Sequence, residues 1–113
     1  MTSIPQMTRA LILERRVQRP DGAGGFTSDW QPLGVVWAAI LPGTGREIAA
    51  LSTSLSRVPY RIILRAAPEG APSRPIPGQR FRQGGRLFAI AAVTETDAKG
   101  GHLTCFATEE SAT

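Results

Sequence analysis

Residues 33–41 read LGVVWAAIL and stop at Pro42-Gly43. An uncharged run this short cannot span a bilayer, and it suits a core strand. An apolar strand without alternation needs both faces covered, or one face in the core and the other at an interface. Trp37 inside the run and Trp30 just before it are read as core or interface anchors, because aromatic side chains dominate both settings.

On the N-terminal side, residues 8–17 (TRALILERRV) alternate around Leu11, Leu13 and Val17, the pattern of a first strand. Residues 18–25 (QRPDGAGG) are turn chemistry throughout, and residues 26–30 are expected to pair back as a short hairpin arm. On the C-terminal side, residues 58–65 (VPYRIILR) form a clear strand, with Tyr60, Ile62 and Leu64 on one face. The Pro-rich residues 66–77 cannot enter a central strand. Residues 79–82 and 86–93 are expected strands joined at Gly84-Gly85, and residues 96–101 turn the chain into a last strand over 102–108. The pattern predicts a mainly β chain: a small antiparallel β-barrel or sandwich with a long inserted loop or short helix between two strands. One domain covers residues 8–108, with a flexible arm at 1–7 and a polar tail at 109–113.

The insertion is residues 42–57. Thr44-Gly45-Arg46-Glu47 fits a capping box, and Ile48, Leu51 and Leu55 follow at helical spacing. Ser and Thr at 52–54 weaken the helix, so a loop that orders on assembly is the alternative. A segment of this length between strands projects from a small domain or covers one end of it.

With 113 residues the chain has room for one domain, and Gly 12 with Pro 9 matches a turn-rich β fold. The N-terminus MTSIPQMTRA lacks the basic-then-apolar layout of a signal peptide. A lone cysteine, Cys105, permits no internal disulfide and reads as a buried strand residue made in a reducing compartment. The net charge of +4 is unevenly placed. Residues 58–93 carry Arg61, Arg65, Arg74, Arg80, Arg82 and Arg86 against Glu69, whereas the chain from Thr94 onward is acidic. Arg61, Arg65, Arg80, Arg82 and Arg86 are candidates for contact with DNA or with neighbouring subunits.

No catalytic chemistry is legible. One cysteine and one histidine cannot make a metal site, so neither metal nor cofactor is expected, and His102 reads as an exposed strand residue. The glycines at 22, 24 and 25 lack the strand-then-helix context of a phosphate loop. Glu109-Glu110 lies in the polar tail, unsuited to a desolvated general acid. The expected class is therefore non-enzymatic. A small nucleic-acid-binding barrel of the OB or SH3-like type is the alternative, with Phe81 between Arg80 and Arg82 as its support.

Taken in order, DGAGG followed by Trp30, then VWA at 36–38, PGTGRE at 42–47, and GGR at 84–86 with Phe88 and Ile90 resemble the phage head–tail joining family. These are the head-closure or stopper proteins of long-tailed phages and gene transfer agents. The resemblance spans residues 8–106 and departs in the Pro-rich stretch at 66–77. It implies a β-barrel subunit of a homo-oligomeric ring, hexameric in preference to dodecameric, set between the portal adaptor and the tail terminator or tail tube. Such a ring retains packaged DNA, touches the double-stranded DNA of the channel without sequence preference, and offers a docking surface to the tail. The channel or gating role of the family's insertion maps to Pro42, Gly43, Thr44, Gly45, Arg46, Glu47, Ile48, Leu51, Leu55 and Arg57. The implied location is the neck of a virion or gene-transfer particle after synthesis in the bacterial cytoplasm, with no membrane involvement.

Overall fold

The computed structural model describes residues 6–44 and 57–110. Six antiparallel strands make up the fold: β1 (Arg9–Pro20), β2 (Phe26–Pro42), β3 (Arg57–Arg65), β4 (Arg80–Gln83), β5 (Arg86–Glu95) and β6 (His102–Glu110). They close into a barrel in the order β1-β2-β3-β6-β5-β4. Closure leaves the barrel wall without an exposed edge. The expected mainly β barrel is what forms, and no helix occurs among the described residues.

Every strand sends alternate residues inward. Leu11 and Leu13, Ala38, Ile62 and Leu64, Phe81, Phe88 and Ile90, and Cys105 and Ala107 form one buried cluster. Phe81 and Phe88 are completely buried and pair across β4 and β5. Each such side chain contributes roughly 1.5–3 kcal/mol by leaving water. The tight turn at Gly84-Gly85 forms as expected, with Gly84 at φ 59°, a conformation glycine adopts without steric cost.

The register gives the barrel two distinct ends. At one lie Pro42, Arg57, the β4–β5 turn and Glu110. At the other lie Arg65, the β5–β6 turn and the connection 66–79, whose Pro75 is fully buried. That connection stays out of the sheet, as its prolines dictate. It is pinned by Gly78 N donating to Ile90 O and Ile90 N donating to Gln79 O, both at 3.0 Å.

Two differences from the sequence reading have physical causes. Residues 26–30 and 33–41, expected as separate strands, are one continuous β2 of 17 residues. Pro32 falls opposite Glu14 and Gly34 opposite Leu13, so Leu33 is the extra residue of a bulge. Gly34 at φ 147° lets the strand bend there without breaking. In addition β6 runs on through Glu109 and Glu110, where a polar tail was expected, because Glu109 is held by Arg86. The helix expected over residues 44–55 lies outside the described residues apart from Thr44.

Candidate functional site

β1 and β2 outrun the rest of the barrel. β4 meets β1 only over Ile12–Glu14, and β3 meets β2 only from Ala38 to Pro42. The hairpin from Glu14 and Pro32 to its tip at Pro20 and Phe26 is therefore a two-stranded ribbon, about 20 Å long at ~3.3 Å per residue. Asp21 shapes the tip by accepting hydrogen bonds from Ala23 N at 2.7 Å and Gly25 N at 3.0 Å. These backbone donors hold its carboxyl below the ordinary value. The ribbon carries Arg15, Arg16 and Arg19, with Arg15 donating to Gln31 at 2.9 Å and Arg19 within 3.5 Å of Asp29.

The ribbon's base is fastened to the barrel by charge. Glu14, 4% exposed, accepts from Arg80 Nε at 2.7 Å and from Arg82 Nε at 3.0 Å. The Arg80 guanidinium also lies 4.1 Å from the centre of the Trp30 ring. Burial pushes the Glu14 carboxyl upward, but the hydrogen bonds from the two guanidiniums outweigh it and hold the group below its ordinary value. Trp30 is thus a half-buried prop for Arg80 at the ribbon's base.

At the opposite end of the barrel a second network closes the mouth beside the insertion. Arg86 donates to both oxygens of Glu109, at 2.7 and 3.0 Å, and lies over the rings of Phe88 and Tyr60. Tyr60 and Phe88 meet edge to face at 5.6 Å. The Arg86 hydrogen bond holds Glu109 below its ordinary value, and Glu109 in turn raises Arg86.

Of the five arginines singled out from sequence, Arg80, Arg82 and Arg86 are therefore engaged within the chain. Arg61 donates to Pro42 O at 3.3 Å, and Arg65 lines a cleft of about 490 Å³ with Met7, Val36, Trp37 and Leu64. Of the insertion residues, Pro42, Gly43, Thr44 and Arg57 are described; Gly45, Arg46, Glu47, Ile48, Leu51 and Leu55 lie outside the described residues. The insertion's described flanks are joined by Gly43 N donating to Pro59 O at 3.1 Å.

Trp37 is 60% exposed, as is Val35 at 62%, and Phe26 at the ribbon tip is 69% exposed. Residues 33–41 thus bury one face and leave much of the other open. Val35 and Phe26 were not singled out from sequence, nor were Arg15, Arg16 and Arg19. The signal for them was the break in alternation at Gly34 and the basic run ERRVQR beyond the core part of β1.

No group of three potential metal ligands occurs among the described residues. Burial pushes the Cys105 thiol up to about 12, which removes it as a nucleophile at neutral pH. His102 is half-buried, not exposed as expected, and its Nδ1 is enclosed without a hydrogen-bond partner among the described residues. No described helix is long and apolar enough to cross a membrane.

The chain matches the phage head completion protein family over residues 2–110. It is 43% identical to a chain from the virion of a native gene transfer agent particle, with a TM-score of 0.77 over 97% of this chain and all of that one. A solution structure of a Shigella flexneri 2a protein shares the fold at TM-score 0.69 and 18% identity, over 96% of both chains. No curated protein matches it. By a match spanning nearly its whole length, the chain belongs to the phage head completion protein family.

Proposed function

We propose that this chain is a head-closure subunit, without enzymatic activity, of a phage-derived particle. Copies of it form a ring at the neck, below the portal and its adaptor, that retains packaged DNA and presents a docking surface to the tail. The observation that carries this reading is the family match together with 43% identity to a chain of a native gene transfer agent virion. A closed barrel with a projecting ribbon at one end and an insertion at the other has the two-ended build of a connecting piece. In this proposal residues 42–57 face the channel and act as its gate, made in the bacterial cytoplasm and assembled into the particle with the rest of the subunit.

Cryo-EM of purified particles tests the reading by asking whether this chain occupies a closed ring at the neck. Deleting residues 45–54 tests the gate separately. Filled heads that lose their DNA support it, and filled heads that keep their DNA refute it.

A further inference from the structure

We propose that a cleft between the base of the ribbon and the connection 66–79 binds an extended acidic peptide segment of another protein. Its carboxylates meet Arg15 and Arg74, and an apolar side chain meets Leu33 and Ile76. The cleft holds about 470 Å³; Arg15 and Leu33 line it from the ribbon, and Arg74, Ile76 and Gln79 from the connection. Arg15 follows the buried Leu13 by two residues, so alternation turns it to the side of the ribbon that continues the barrel's inner wall. The facing connection is anchored by the fully buried Pro75.

Charge selects an anion. Arg15 Nε donates to Gln31 at 2.9 Å, and Arg74 Nη1 donates to the Ala67 carbonyl at 2.9 Å. A guanidinium carries five N–H donors, so each is held in place with donors to spare. Neither arginine has an ion pair among the described residues, and no acidic residue lines the cleft. Of the acids nearest in the chain, Asp29 lies within 3.5 Å of Arg19, and Glu69 is exposed and outside the lining. Two like charges on one cleft repel until an anion takes up both.

The apolar lining selects a peptide over nucleic acid. A duplex is held by cations that meet its phosphates and needs no apolar surface. Here the two arginines flank Leu33 and Ile76, the latter 53% exposed. A few polar groups around an apolar surface are the build of a concave binding site. The chain's own exposed acids do not suit it. Glu95 and Asp97 stand beside Lys99 in a turn without a large apolar residue, and Glu110 stands at the opposite end of the barrel. The segment therefore comes from a different protein. The cleft belongs to the isolated chain, so the proposal goes beyond the head-closure reading and is tested apart from it.

The test is NMR of the full-length isotope-labelled protein at low salt, titrated with a blocked peptide of alternating glutamate and leucine. The amides of Gly70, Ala71, Arg74 and Gln79 are expected to shift. The same peptide with glutamine in place of glutamate is expected to bind about tenfold more weakly, the scale of a hydrogen bond to a charged group. Arg15→Gln is expected to weaken the glutamate peptide by a similar factor, and because Arg15 is exposed the unfolding midpoint should stay near that of the parent. No shift at these amides up to about 5 mM peptide, equal affinity for the two peptides, or unaltered affinity in Arg15→Gln overturns the proposal. Inorganic phosphate or a short DNA duplex that moves the same amides at lower concentration than the peptide also overturns it. None of these results bears on head closure, which stands or falls on the neck ring.

Discussion

The Arg80 guanidinium lies 4.1 Å from the centre of the Trp30 ring while its Nε donates to Glu14 at 2.7 Å. One side chain of the barrel thus holds both strands of the ribbon, Glu14 on β1 and Trp30 on β2. These contacts tie the base of the ribbon to the barrel wall.

Glu14→Gln removes the charge that two guanidiniums share. The expected loss is about 2 kcal/mol, on the scale of a hydrogen bond to a charged group. Most of it comes from Arg80, since the Arg82 side chain is 40% exposed and screened by solvent. Urea unfolding measures it, and a midpoint unchanged from the parent protein contradicts the fastening role.

Stability should also fall in acid. Glu14 and Glu109 both have folded-state pKa values below the ordinary 4.5. Their contribution is therefore fully present above that value and is lost as pH falls through the lower folded values. Urea midpoints recorded from neutral pH downward should hold level and then drop below the ordinary carboxylate range. The double variant Glu14→Gln/Glu109→Gln should start lower and show a shallower acid limb.

Phe81→Ala opens a cavity at a site with no solvent exposure. The expected cost is about 3–5 kcal/mol, a large part of the stability of a domain this small. Thermal unfolding followed by circular dichroism gives the value.

The Cys105 thiol should not react with Ellman's reagent in the folded chain at pH 8 and should react stoichiometrically in denaturant. A fast native reaction contradicts the burial that raises its pKa to about 12.

Trp37→Ser separates surface from fold. Its ring is mostly exposed, so unfolding should shift by less than about 1 kcal/mol. Incorporation into particles should nevertheless fall sharply, read as the ratio of this chain to capsid protein in purified particles.

The barrel was legible because its strands obey a period of two: Leu11 and Leu13, Ile62 and Leu64, Phe88 and Ile90 all face inward as alternation predicts. The length of β2 was not legible, because nothing local to Pro32 marks it as lying within one continuous strand. In the folded chain Pro32 sits opposite Glu14 on a stretch that β3 does not reach, and Gly34 forms part of the bulge. The charge clusters were hidden for another reason. Arg80 and Glu14 are 66 residues apart, and nothing local in the sequence separates an arginine paired across strands from one facing DNA. Three basic residues of the middle segment thus turn out to be paired within the barrel, and the ribbon adds exposed Arg15, Arg16 and Arg19 to the exposed Arg65.

Cryo-EM of the purified particle at side-chain resolution decides whether this chain closes the head as a ring of copies. A closed ring of this barrel is expected at the neck. A neck built without this chain, or free protein that binds DNA as a monomer in a salt-sensitive way and is missing from particles, contradicts it.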